Sequence, residues 1–380
     1  MPITEHRLAP EPNNTKRGMK MFSLSRRDLL KKAAAAAVIG ADASIVGFSG
    51  AQAAGTITAI DWGGQWVDAL KKIAAKQSFV DVNWQLYAGG AATILPKIKA
   101  TWPNPGLDLM STWNTMWGTI AREGWAVPIT VENVPNLVDI PQSLLTRDSA
   151  GNVIGIPRAY GPNLWFYRKD TAPFQISTFD DLLDPRLKGK ICFPAPSFAS
   201  NLQMISIAVY KGGDEKNMEP AWDFMKKLAR SGNIGRVSST SVDITTSISS
   251  GETCISFDGS STPMTLSQNF EMRNMMKMGR DTGFHSYIVW ETWCVLKGRN
   301  AHATLQFANF AVNPENNADY NAAIGAIPTN VKSKIADHVQ PYVLTDDEMR
   351  KYTYKPDWDY LTSQADAWSK RWEQEIMPLL

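Results

Sequence analysis

The chain has 380 residues, enough for two domains with additional segments. Hydrophobic residues make up 44% and charged residues 20%, the balance of a soluble globular protein with a sizeable core. The formal net charge is +2; the first 53 residues hold eight Lys/Arg and four Asp/Glu, so the remainder carries 31 basic and 33 acidic residues and has no basic run suited to nucleic acid.

The N-terminus reads as an address. Ser25-Arg26-Arg27-Asp28-Leu29-Leu30-Lys31 matches the twin-arginine export pattern, departing only at Leu29, where Phe is commonest. Residues 33–50 are Ala-rich but interrupted by Asp42, Ser44 and Gly47, too weakly apolar for a membrane span. Ala51-Gln52-Ala53 supplies a small-x-small cleavage site. Residues 1–53 are therefore expected to be a twin-arginine signal peptide, cleaved near Ala53-Ala54, with translation starting at Met1, Met19 or Met21. The twin-arginine export machinery is the implied partner, and the periplasm the implied location.

Strands and helices then alternate. Residues 56–61 predict a strand, broken at Gly63-Gly64, and residues 65–76 a helix with Trp66, Ala69, Leu70 and Ile73 on one face. Residues 80–86 predict a second strand, 91–100 a helix limited by Pro96, 107–111 a third strand, and 113–123 a helix stopped at Gly124. This β-α-β-α-β-α order implies a parallel sheet with crossover helices. The pattern restarts after Ser177-Thr178: strands at 189–194 and 253–258, helices at 200–210, 220–230, 242–249 and 263–278. Two extended aromatic-rich segments, 154–167 and 286–297, flank this second unit. Helices at 301–312, 314–324 and 357–376 follow.

The expected fold class is α/β with two lobes, the second inserted into the first. The lobes are assigned to 55–157 plus 294–345 and to 158–293, and residues 346–380 to a C-terminal helical segment packing on the lobes. Ligands of open α/β sheets bind beyond the carboxyl ends of strands, here in a shared cleft. Two linkers permit closure by changes at a few backbone dihedrals.

Several segments match a known family. Phe179-Asp180-Asp181-Leu182-Leu183-Asp184-Pro185-Arg186-Leu187-Lys188-Gly189-Lys190-Ile191 resembles the W-x-D-L-L-D-P-x-x-K-G-K-I segment of the extracellular solute-binding proteins of bacterial ABC importers, in the branch that contains spermidine- and putrescine-binding proteins. Ile156-Pro157-Arg158-Ala159-Tyr160-Gly161, with Phe166-Tyr167-Arg168-Lys169-Asp170, is similar to that family's first crossover. Val295-Leu296-Lys297-Gly298, with Ala308-Asn309-Phe310, resembles the second, and Gly325-Ala326-Ile327-Pro328-Thr329-Asn330 matches G-Y-x-P-x-N. The resemblance implies the type II periplasmic-binding fold, a small solute held between the lobes, and ABC permease subunits in the inner membrane as partners of a monomer.

It also implies site residues. Trp62 stands where the polyamine branch packs a Trp on its ligand, beside Gly63 and Gly64, which let backbone approach a ligand; Trp62 capping the core is the alternative. Ser111 and Trp113 hold the equivalent turn after the third strand, where helix capping is the other reading. Tyr160 lies on the first crossover. Ser197, Ser200 and Asn201 follow a strand of the second lobe, donors or caps. Asp258 is a ligand carboxylate or a turn-capping residue. Glu291, between Trp290 and Trp293, replaces the branch's Asp and either meets a ligand ammonium or braces the hinge as an ion pair. Aromatic rings and carboxylates together suit an organic cation such as a polyamine, although Arg158 and the helix N-termini keep an anion open.

No GxSxG, HExxH, P-loop or long GxGxxG pattern occurs, so no catalytic residues, cofactor or metal are expected and an exported enzyme is disfavoured. A ligand sensor for a receptor is the remaining alternative. Cys192, Cys254 and Cys294 form no CxxC pair, and buried free thiols are expected.

Overall fold

The computed structural model describes residues 55–87 and 93–380. The expected signal peptide and the Gly89-Gly90 turn lie outside the described residues. In the first lobe, β1 (Gly55–Asp61) pairs in parallel with β2 (Val80–Leu86) on one side and with β3 (Leu109–Thr112) on the other. The helix between β1 and β2, α1 (Gln65–Ala74), buries Val67, Ala69, Leu70 and Ile73, the spacing of a single helical face. In α2 (Ile94–Thr101), Pro96 falls in the first turn, where no intrahelical donor is lost. α3 (Trp117–Glu123) stops because Gly124 turns left-handed at φ 67°.

The chain then crosses on β4 (Ile156–Arg168), a strand buried along almost its whole length. The second lobe follows: β5 (Ile191–Pro194), α4 (Leu202–Tyr210), α5 (Glu219–Arg230), β6 (Ile234–Ser238), α6 (Ser241–Ser249), β7 (Ile255–Gly259), α7 (Ser261–Ser267) and β8 (Met272–Asn274). The return crossing is β9 (Tyr287–Val295), after which α8 (Ala301–Ala311), α9 (Pro314–Ile324) and the short β10 (Ile327–Pro328) rejoin the first lobe. Two C-terminal helices close the chain, α10 (Asp346–Tyr352) and α11 (Trp358–Glu375).

The sheet runs β2-β1-β3-β9-β4-β7-β5-β6, with β8 and β10 pairing onto β4. β5 is parallel to β6 and β7, while the β3/β9, β9/β4 and β4/β7 pairs are antiparallel. Direction therefore reverses between the two parallel groups. The carboxyl ends of β1 and β3 point toward the second lobe, and those of β5 and β7 point back. Along β4, the end of β3 is level with Pro157 and the end of β7 with Asn163, about 20 Å apart at ~3.3 Å per residue. Each lobe has its own core, one around Ile57, Leu70, Leu109, Phe307 and Tyr320, the other around Trp165, Phe179, Phe193, Trp222 and Phe257.

One expectation is corrected. Residues 263–278 are not one helix: α7 ends at Ser267, and β8 pairs antiparallel with β4, Phe166 opposite Asn274. Tertiary pairing supplied an edge that overrode helical spacing. β6, for which the sequence reading named no element, is a strand because β5 offers it a parallel partner. All three cysteines are free and buried.

Candidate functional site

Strand ends place the candidate residues. Asp61, the last residue of β1, is fully buried, and its Oδ1 accepts from the backbone N–H of Trp62 (2.8 Å). Gly64 takes φ 65° just before α1, a conformation that costs a side chain but not glycine. Asp61 also accepts from the Ser111 hydroxyl at the end of β3. The adjacent β1 and β3 ends are thus tied side chain to side chain.

An ion cluster lies at this edge. Arg158 of β4 is 1% exposed and donates from Nη1 to Asp61 Oδ2 (2.6 Å) and from Nη2 to Asp61 Oδ1 (3.0 Å). The same Nη2 reaches Glu291 Oε2 of β9 (3.1 Å). Tyr320 donates to Glu291 Oε2 (2.9 Å), and Trp66 Nε1 donates to Oε1 (3.0 Å). The guanidinium lies over the rings of Trp293 and Tyr320, 5.0 and 4.8 Å from their centres. Asn317 and Asn321 of α9 hold the Arg158 carbonyl at 2.6 and 2.9 Å. Two carboxylates share one guanidinium, so with both carboxyls ionised the cluster carries an excess negative charge. Burial pushes the Glu291 carboxyl above its ordinary range, Arg158 opposes this, and the charge on Asp61 adds to it. The Glu291 side chain keeps 12% exposure, whereas that of Asp61 has none.

An aromatic group stands beside the cluster. Trp62 contacts Tyr87 (ring centres 5.4 Å apart) and meets Trp113 edge-on at 5.6 Å. Tyr87 donates to the Ser111 carbonyl. Trp113 packs against the cores of both lobes, and Asn114 next to it accepts from the N–H of Trp290 on β9 (3.1 Å). Trp62 and Trp113 are both half-buried.

The second lobe contributes the turn between β5 and α4. Ser197 is exposed there. Ser200 and Asn201 both adopt left-handed backbone, at φ 50° and 62°, unfavourable for any residue with a Cβ and a recurrent feature of ligand-binding turns. Asn201 is buried with its Oδ1 unpartnered. Asp258, near the end of β7, accepts from the Gly259 N–H (2.8 Å) and the Thr262 hydroxyl (2.6 Å); burial raises its carboxyl above the usual range against those bonds.

Of the residues singled out from sequence, Trp62, Gly63, Gly64, Ser111, Trp113, Glu291 and Trp293 gather at the first-lobe edge. Trp293 is enclosed in the core against Phe307. Ser197, Asn201 and Asp258 belong to the second lobe. Tyr160 packs with the Leu164, Met264 and Tyr342 cluster beside β10. Sequence reasoning missed Trp66, Tyr87 and Tyr320. Tyr87 had a faint signal, an aromatic residue directly after a strand and just before paired glycines. Among the described residues no group of three His, Cys, Asp or Glu is placed to hold a metal ion.

Residues 65–351 match the family model described as bacterial extracellular solute-binding protein. No curated protein matches the chain. Solved structures share the fold at low identity. Against AgtB of A. tumefaciens R10 in complex with agropinic acid the TM-score is 0.64 at 19% identity, covering 85% of this chain and 99% of that one. A protein assigned as a spermidine/putrescine ABC transporter of Listeria monocytogenes gives 0.66 at 17%, covering 84% and 99%. Iron-bound HitA of Pseudomonas aeruginosa gives 0.65 at 17%, covering 83% and 98%. These neighbours are two-lobed periplasmic binding proteins, the arrangement seen here; their ligands differ widely, so the fold does not select the solute.

Proposed function

This chain belongs to the bacterial extracellular solute-binding protein family, and from that premise we propose that it is the periplasmic substrate-binding component of an ABC importer whose solute is a small organic cation such as a polyamine. The solute sits between the carboxyl ends of β1 and β3 and those of β5 and β7. The lobes close on it by bending at β4 and β9, and the closed protein delivers it to a membrane permease. Twin-arginine export at residues 1–53 puts the protein in the compartment where that permease is reached.

The observation that carries the cationic reading is the charge of the cluster. Asp61 and Glu291 outnumber Arg158, and the Glu291 side chain keeps 12% exposure while its Oε1 accepts from Trp66. A ligand ammonium there balances the excess charge and gains a charge-assisted hydrogen bond. The half-buried Trp62 and Trp113 supply π-faces, each worth about 0.5–2 kcal/mol to a cation. An anion has the opposite problem, because the Arg158 guanidinium already faces two carboxylates.

Isothermal titration of the processed protein with putrescine and spermidine tests this. Binding to at least one, weakened tenfold or more in Trp62→Ala, is expected. Silence with both, together with binding to an anion, overturns the cationic reading.

A further inference from the structure

We propose that α11 is a strap across the lobes that biases the opening of the cleft. One end is rooted in the second lobe. Trp368 and Trp372 are buried there, Leu361 of the first turn joins the same core, and Trp372 stacks on Phe193 of β5 with ring centres 5.6 Å apart and planes 12° from parallel. Arg371 donates to both oxygens of Glu219 on α5 (2.5 and 2.8 Å), and Lys226 pairs with Glu375 at 2.7 Å.

The other end reaches the first lobe. The Thr362 hydroxyl has two acceptors within reach, the Trp358 carbonyl of its own helix at 2.8 Å and the Thr115 carbonyl of the first lobe at 3.1 Å. A Cβ added to Gly118 would lie 2.5 Å from Asp359 Oδ1, so glycine is what lets the two surfaces approach. Thr115 and Gly118 are three residues apart, as are Asp359 and Thr362, so one turn faces one turn. These first-lobe residues directly follow Trp113 on the candidate cleft wall.

The two attachments differ in kind. The second-lobe attachment is apolar core and paired charge along the helix; the first-lobe attachment is a hydrogen bond from an exposed threonine, shared with the Trp358 carbonyl, beside an exposed aspartate. Bending at β4 and β9 carries Thr115 and Gly118 past a helix that stays with the other lobe. The weak contact therefore exists only for one set of lobe positions, and its free energy shifts the equilibrium toward that set.

Small-angle scattering of the ligand-free protein tests the strap. The inference rests on the hinge reading above, but this readout needs no solute, so it fails separately from the titration. Gly118→Glu sets a carboxylate against Asp359. The expected result is a radius of gyration shifted from wild type, with the ratio of the two lobe arrangements changed about fivefold, the size of one lost net hydrogen bond. Adding Asp359→Lys to that variant returns the profile toward wild type, while the melting temperature stays near wild type because the root of α11 is untouched. An unchanged profile in Gly118→Glu, or no return in the double variant, overturns the proposal. Should Gly118→Glu not fold, Thr362→Ala removes the hydroxyl that reaches the Thr115 and Trp358 carbonyls, and unchanged scattering there overturns it equally.

Discussion

At the scale of single residues, Arg158 decides most about the site. Its guanidinium answers two buried carboxylates, one from β1 and one from β9. Replacing it by Met leaves Asp61 and Glu291 buried without a counter-charge, and breaking a buried pair in this way costs about 3–5 kcal/mol. Urea denaturation at pH 7 is expected to show that loss, with most of it recovered when Asp61→Asn and Glu291→Gln are added. A midpoint in Arg158→Met equal to wild type would mean the cluster is not held as described. The sequence drew attention to Glu291 through its place between two tryptophans. It could not show that Arg158, 133 residues earlier, reaches the same carboxylate.

At the scale of elements, local signals located most helices and strands. The Gly124 stop, the Pro314 start and the spacing of α1 are visible as residues, because caps and faces depend on neighbours three or four positions away. β6 and β8 escaped because a strand needs a partner the local sequence does not name. Gly235 in β6 shows how tight that partnership is: a Cβ there would overlap the Gly189 carbonyl. Gly235→Ala is expected to lower stability by about 1–3 kcal/mol through forced separation of β6 from the entry to β5. Gly298→Ala, with open space around it, is the control and should sit close to wild type in the same urea titration. Equal midpoints for the two variants would contradict the close packing.

At the scale of the whole molecule, the C-terminal segment is joined to the second lobe through buried polar groups that make stability depend on pH. His285 is fully buried, bonded to the Tyr287 hydroxyl at 2.9 Å and tilted against Tyr354 with ring centres 5.7 Å apart, while Glu215 accepts from both the Tyr354 hydroxyl and the N–H of Asp357. Burial, helped by Arg280, lowers the His285 imidazole to about 3 from an ordinary 6.5. Between those values the unfolded chain binds a proton that the folded one refuses, so stability falls as pH drops through that window, by on the order of a few kcal/mol in full. The raised Glu291 and Asp258 carboxyls act in the opposite sense, and they are common to wild type and variant. The stability of wild type relative to His285→Phe should therefore shrink between pH 7 and pH 4. A constant difference would show that His285 is not held neutral.

Alternation of strands and helices, the crossover segments and the family motifs were written in the sequence, since each depends on residues close together along the chain. Charge balance at the site was not. Whether Glu291 faces solvent or an arginine, whether Trp293 lines a cleft or fills a core, and where α11 lands are contacts between residues up to a few hundred positions apart. Only the folded sheet, with its reversal of direction between β3 and β7, brings those residues within reach.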